Sequence, residues 1–304
     1  MARREHTQHN QIDKRKQKRP SAQIKYGTAA RDWALPVAVT VETEAQLAEV
    51  LKHDAVALVY LDEACFTDFA ALIRRMHAAG KQAGLRLRRI ERDFDASGRK
   101  AENSAELLAG LWKAECLPDV LLVRNLDEAM LLEDFFGAHP ELKARIRRNF
   151  DYTVYGYNQE AIQALASLGA DGLTYPIELT YHECRKLKSE LPFELMIYGH
   201  LPMMVSANCI QRTSARCDHG NRILQLRDRM GKDMPVRCYC TYCYNQIFNA
   251  EPLVLYDLPD EVRALQPQCL RYDFSVEQAA VVRQVLEGAV PRSMTRGHFR
   301  HGIE

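Results

Sequence analysis

The sequence predicts an α/β fold: a (β/α) barrel-like parallel sheet, compact or incomplete, followed by a cysteine-rich loop module. Three observations carry this. Apolar runs alternate with amphipathic stretches after Pro36. The runs are continuous rather than alternating, as expected of strands buried on both faces by helices. About seven such β/α units fit within 165 residues, a density that suits a barrel better than an open doubly wound sheet.

The predicted strands are residues 37–41 (VAVTV), 55–61 (AVALVYL), 85–90 (LRLRRI), 119–125 (DVLLVRN), 150–155 (FDYTVY), 171–177 (DGLTYPI) and 194–199 (ELMIYG). Between most of them lie helical patterns. Leu47, Val50 and Leu51 share one face over 42–52, and Ile162, Leu165, Ala166 and Leu168 share one over 159–168. From Ser206 to Asn249 this periodicity fades. Cysteine, Arg, Asn and Gly replace it, so the segment reads as loop-rich and tied by something other than a core. Residues 251–259 read as a strand and turn, 260–266 as helical, 270–276 (LRYDFSV) as a last strand, and 277–287 as a helix ended by Gly288. The expected divisions are a basic tail or linker at 1–34, the barrel-like domain at 35–205, the cysteine module at 206–258, and a strand–helix end at 259–304.

The chain has 304 residues, 47% of them hydrophobic, enough for a sizeable core. Its net charge is only +1, so no global basic field favours nucleic acid. The charge is uneven, however. Residues 1–20 hold seven Lys or Arg against two acids. Such a polar basic segment is expected to be disordered, and RNA is one surface it suits. It lacks the apolar stretch of a secretory signal. No run is long and apolar enough for a membrane span. Nine cysteines, an odd number without a signal, point to a reducing cytoplasm rather than a disulfide framework.

Chemistry in parallel barrels gathers at the C-terminal strand ends. Those ends carry Asn125, Tyr157, Asn158, Glu178 and His200. Asn125 and Asn158 equally suit helix N-caps. Thr180 and Glu183 have the spacing of a capping box, which makes Glu183 structural. Glu178 is not needed for that box and is a candidate for ligand binding. Nucleophilic hydrolysis finds little support, with no GxSxG elbow and no HExxH, and the lack of a GxGxxG after any strand weakens a dinucleotide-binding reading.

Five of the nine cysteines fall between residues 209 and 243. Cys240-x-x-Cys243 has the spacing in which one turn aims two thiolates at one metal. Cys209 and Cys217 supply a second pair, and Cys238 is a spare able to replace Cys240. Thiolates suit zinc and iron–sulfur clusters alike, and the spacing leaves the two open. A CxxC also serves thioredoxin-like redox centres, but that leaves Cys209 and Cys217 unexplained.

Residues 194–209 (ELMIYGHLPMMVSANC) and 226–255 (LRDRMGKDMPVRCYCTYCYNQIFNAEPLVL) resemble the collagenase-like peptidase family U-32. The run 172–183 (DGLTYPIELTYHE) and the ending 295–304 (TRGHFRHGIE) are similar to the long members. The resemblance implies a (β/α)-barrel-like domain followed by a cysteine-rich region. Despite the family's name, it also implies oxygen-independent hydroxylation of an RNA base or a ubiquinone precursor. It further implies a four-iron four-sulfur cluster on Cys209, Cys217, Cys240 and Cys243, and prephenate as co-substrate of the RNA-acting members. Glu178, Asn158 and His200 would then line the substrate cavity. Long members usually begin with another module of the family, so a separate N-terminal module is an expected partner. The rival expectations are a peptidase and a non-catalytic, zinc-stabilised accessory module.

Overall fold

Strands of the main sheet show two faces at once. In β1 (Val37–Val41), Val37, Val39 and Val41 join the large apolar cluster under the helices, while Ala38 belongs to a second, separate cluster. β2 (Val56–Asp62) divides the same way, with Val59 and Leu61 outward and Leu58 and Tyr60 in the second cluster. This is the period-two alternation of a strand buried on both sides. The second cluster is the lumen of a closed barrel.

The structure, a computed structural model, describes residues 33–214 and 217–302. The basic tail expected at 1–20 lies outside the described residues. After β2 come β3 (Gln82–Arg86), β4 (Val120–Val123), β5 (Arg147–Phe150), β6 (Gly172–Thr174) and β7 (Phe193–Gly199). A second group follows: β8 (Pro202–Ser206), β9 (Ile223–Arg227), β10 (Asp233–Tyr239) and β11 (Tyr244–Phe248). Last come β12 (Leu253–Val254) and β13 (Cys269–Asp273). The helices are α1 (Glu44–Val50), α2 (Phe69–Ala78), α3 (Ser104–Lys113), α4 (Leu126–Ala138), α5 (Pro140–Lys143) and α6 (Gln159–Ser167). They continue as α7 (Tyr181–Cys184), α8 (Ile210–Ser214), α9 (Pro259–Ala264) and α10 (Ala279–Leu286).

β1 to β7 pair in parallel in chain order except at one place. There β13 lies between β7 and β1, parallel to both, and β6 pairs with β7. The ring is closed, with eight parallel strands, and β12 hangs antiparallel on β7. The barrel is therefore complete. The sequence boundary at 258/259 separates its eighth strand from the other seven, because β13 follows the long excursion through β8–β12. α1 and α10 pack side by side across the closure, tied by Arg283 to Glu49 at 2.6 and 3.0 Å.

Residues 206–249 are less loop-like than their sequence pattern predicts. β8–β11–β10–β9 form a four-stranded antiparallel sheet. Its outer strands β8 and β9 are largely exposed, with Met203, Met204 and Ile223 open to solvent, so they lack the buried apolar run that marks the barrel strands. Smaller strand differences have local causes. The predicted strand at 150–155 becomes a 3-10 turn at Tyr152–Val154, opened by Asp151, whose carboxylate accepts from the Tyr152 N–H at 2.9 Å.

The capping pattern read from the sequence is present. Asn125, Asn158 and Thr180 each accept a hydrogen bond from the backbone N–H three residues on, and Glu183 completes the box with Thr180. The lumen is filled tightly. A Cβ at Gly84 would stand 2.3 Å from the Tyr60 ring, so only glycine leaves room for that ring.

Candidate metal centre and barrel mouth

Above the apolar lower layer, the lumen turns ionic. Arg271 is wholly buried and crosses from β13 to Asp151 at 2.8 Å and Glu194 at 2.6 Å, with Asp273 at 2.8 Å on its own strand. Arg124 reaches Asp62 at 3.3 Å, and Arg86 reaches Glu42 at 3.4 Å. Thr40 donates to Asp273 at 2.9 Å. Burial raises Asp151, but the guanidiniums of Arg271, Arg86 and Arg124 outweigh it and hold the carboxyl below the usual range. Glu194 goes the other way, pushed up by burial against the pull of Arg271. Buried charges are tolerable only when paired in this way.

The antiparallel sheet closes the mouth above this layer. Alternation along β10 decides which side chains point where. Arg237 and Tyr239 face the barrel: Arg237 Nε pairs with Glu42 Oε2 at 3.0 Å, its Nη2 donates to the Glu42 carbonyl at 2.8 Å, and the Tyr239 hydroxyl donates to the Glu42 carboxylate. Tyr244, paired with Tyr239 across β10 and β11, stacks on it with ring centroids 4.7 Å apart. Burial pushes Glu42 up to about 7, with Arg237 opposing and Asp62 reinforcing the shift.

Cys238 and Cys240 follow the opposite phase and face away from the barrel. Asn245, across from Cys238, marks that side by donating to the Asn208 carbonyl at 3.1 Å. Cys209 lies just before α8, and Cys217 a few residues after it. Cys209, Cys217 and Cys243 line one cleft of about 740 Å³ with Arg212 and His219. Cys240 lies behind it, in a smaller adjoining cleft of about 290 Å³. Its Sγ donates to the Gly220 carbonyl at 3.2 Å and lies 3.5 Å from Gln211 Oε1. Burial, then the nearby thiols of Cys238, Cys217, Cys209 and Cys243, push Cys240 up to about 12. Burial with Cys209 and Cys217 pushes Cys238 up to about 11.

The five clustered cysteines are thus brought to one neighbourhood, whereas Cys116 and Cys184 are buried in the main apolar cluster. Among the described residues no three His, Cys, Asp or Glu side chains stand in metal-ligating geometry as they lie. The donor chemistry nevertheless fits a thiophilic centre, since three thiols open onto one cleft and two more stand beside it.

The CxxC turn is pinned to the barrel between its cysteines. The Thr241 carbonyl accepts from the Ala96 N–H at 2.7 Å. The Arg88 guanidinium lies 4.5 Å from the centre of the Tyr242 ring. Arg88 itself is held by Glu63 at 2.9 Å and Glu91 at 3.2 Å. Burial pushes Glu63 up to about 7, against the opposing charge of Arg88.

The rim residues singled out from the sequence have separate partners. Asn158 accepts from the Ala161 N–H at 2.8 Å, as a helix cap. Glu178 accepts from the Tyr157 hydroxyl, and burial with that bond raises the phenol. His200 Nδ1 donates to the Asn249 carbonyl at 2.7 Å, and its Nε2 lies 3.9 Å from Glu277. None of the three lines the cysteine cleft. Sequence reasoning passed over Glu42, Arg237, Tyr239 and Arg271. Their signal was a polar or charged side chain at every second position of an otherwise apolar run, as in Thr40 and Glu42 or Arg271 and Asp273.

The fold is a closed parallel β/α barrel. No family model matches the chain, and no curated protein matches it. Among solved structures, a U32 peptidase is similar with a TM-score of 0.47 and 9% identity, over 80% of this chain and 94% of that one. The spore cortex-lytic enzyme of Bacillus cereus gives 0.43 and 7%, over 86% and 75%. A glycerol uptake operon antiterminator regulatory protein of Listeria monocytogenes gives 0.33 and 14%, over 53% and 79%. Such distant likenesses carry no argument about activity. No helix among the described residues is long and apolar enough to cross a membrane.

Proposed function

We propose that this chain is an iron–sulfur protein of the U-32 kind, a component of oxygen-independent hydroxylation of an RNA base or a quinone precursor. One observation carries the metal part of this reading. Cys209, Cys217 and Cys243 open onto a single cleft, with Cys240 in the adjoining one, in the connections of a sheet docked over the barrel mouth. The hydroxylation part rests on the family resemblance of residues 194–255.

In this reading the three cleft cysteines bind a four-iron four-sulfur cluster, with Cys240 the fourth thiolate expected from spacing. When bound, such a cluster supplies one-electron transfer. Arg212 lines the same cleft and offers a cation to an anionic co-substrate such as prephenate. Arg237, Tyr239 and Tyr244 fill the mouth where a barrel hydrolase would build its site, which weighs against the peptidase reading.

Iron and acid-labile sulfide analysis of anaerobically purified and reconstituted protein tests this. About four of each per chain, with a brown colour, is expected for one such cluster. A colourless protein without iron after reconstitution overturns it. One zinc per chain, with unfolding on chelation, establishes the accessory-module reading instead.

A further inference from the structure

Packing in the lumen loosens at its N-terminal end, the end away from the cysteine module. A cavity of about 160 Å³ lies there, among the first residues of the barrel strands. Its walls include Pro36, Leu58, Val120 and Phe193, and its polar groups include Tyr60, Asn149 and Glu194. The opposite mouth is filled by Arg237, Tyr239 and Tyr244. We propose that this floor cavity is a binding site for a small uncharged ring compound bearing a carboxamide or lactam group. The inference is independent of the metal reading.

Three polar side chains reach this cavity with hydrogen-bonding capacity unused. Tyr60 is only 1% exposed, yet its hydroxyl has no hydrogen-bond partner among the described residues. A buried phenol ordinarily finds one. Burial first, then Glu194 and Cys269 nearby, raise this phenol, so it stays a proton donor. Glu194 is 4% exposed; its Oε1 accepts from Arg271 at 2.6 Å, and its other oxygen takes no hydrogen bond among the described residues. The Asn149 amide, a donor and an acceptor, is likewise unpaired there. Two glycines keep these groups in place. A Cβ at Gly84 would stand 2.3 Å from the Tyr60 ring, and one at Gly172 would stand 2.8 Å from Asn149 Oδ1. Gly172 itself lines the cavity.

The ligand class follows from size and polarity. A dry cavity of about 150 Å³ holds one benzene ring. Apolar walls with a few convergent polar groups are the usual make-up of a small-molecule site. A carbonyl oxygen would accept from the Tyr60 hydroxyl, and an amide N–H would donate to Glu194 or Asn149. The Glu194 charge is already balanced by Arg271, so an ionic ligand would bring an uncompensated charge into the barrel.

Ligand-observed proton NMR of the full chain with benzamide, benzoate and benzene tests this. Benzamide is expected to bind saturably, and benzoate and benzene more weakly. Tyr60→Phe keeps the ring and removes the hydroxyl. It should weaken benzamide about fivefold, as for one lost hydrogen bond, and leave benzene unchanged. Cys269→Leu fills the cavity from β13 and should abolish benzamide binding. Absence of saturable benzamide binding overturns the proposal. So does binding that persists in folded Cys269→Leu, which would place it elsewhere on the chain. Equal responses of benzamide and benzene to Tyr60→Phe would reduce the cavity to an apolar void and overturn it too. If Cys269→Leu does not fold, the Tyr60→Phe comparison decides alone.

Discussion

The Tyr239 hydroxyl lies 3.1 and 3.2 Å from the two carboxylate oxygens of Glu42. Glu42 immediately follows the first barrel strand, and Tyr239 ends β10, one of the two inner strands of the antiparallel sheet. Through this contact and Arg237, a sheet inserted between the seventh and eighth barrel strands becomes the lid of the barrel's ionic layer. Tyr239→Phe keeps the ring packing but leaves a buried carboxyl short of a donor. It should cost about 1–3 kcal/mol in urea unfolding. An unchanged midpoint would show that Arg237 alone secures the lid.

Glu42 also sets a pH dependence. Burial holds its proton to about pH 7 in the folded chain, whereas the ordinary value is 4.5. Glu63 behaves alike, at about 7. The folded state binds more protons than the unfolded one in that interval, so stability is full below 4.5 and is lost as pH rises through 7. Glu49, lowered to about 2 by its bonds from Arg283 and Lys52, acts in the opposite sense and only on acidification below 4.5. Urea unfolding between about pH 5 and 8 should show a falling limb that Glu42→Gln flattens. A variant with the wild-type slope would remove Glu42 from this account.

Arg271 is the centre of the ionic layer, bound by Asp151, Glu194 and Asp273. Arg271→Met removes the guanidinium that pairs with all three carboxylates, and the uncompensated burial should cost about 3–5 kcal/mol. Thermal unfolding reads this as a large drop in Tm. The alternative, a change of under about 1 kcal/mol, would mean that water or neighbouring arginines readily replace the guanidinium.

Tyr242 tests whether the barrel positions the CxxC turn. Its ring sits under the buried Arg88 guanidinium, an arrangement worth about 2 kcal/mol when desolvated. In Tyr242→Leu the turn should loosen. If the cysteine cleft binds metal as proposed, the expected outcome is faster loss of that metal to a chelator, with far-ultraviolet circular dichroism unchanged. Equal loss rates would assign Tyr242 to packing alone.

The strands were legible because their outward residues are continuous valines, leucines and isoleucines. β1 has the predicted bounds, and β2, β4 and β7 lie within a residue or two of theirs. β3 was misplaced. Its first residues, Gln82 to Gly84, lack the apolar signal, because Gly84 yields its space to Tyr60. The caps at Asn125, Asn158 and Thr180 were readable since they depend only on neighbours three residues away. The ionic layer was not, because each of its charges is balanced by a residue from another strand, as Arg271 is by Asp151 across 120 positions.

The sequence by itself determined a parallel barrel, its local caps, and a crowding of thiols in CYCTYCYNQIFN that points to a soft metal. Those properties follow from local periodicity and side-chain chemistry. Only the tertiary structure decided that the ring closes through β13, that an antiparallel sheet anchors the loops and the turn that carry most of the clustered cysteines, and which of them share a cleft. The reason lies in strand alternation. In that stretch the tyrosines Tyr239 and Tyr244 turn to the barrel while Cys238 and Cys240 turn away. What lies opposite each face is set by segments far away in the chain.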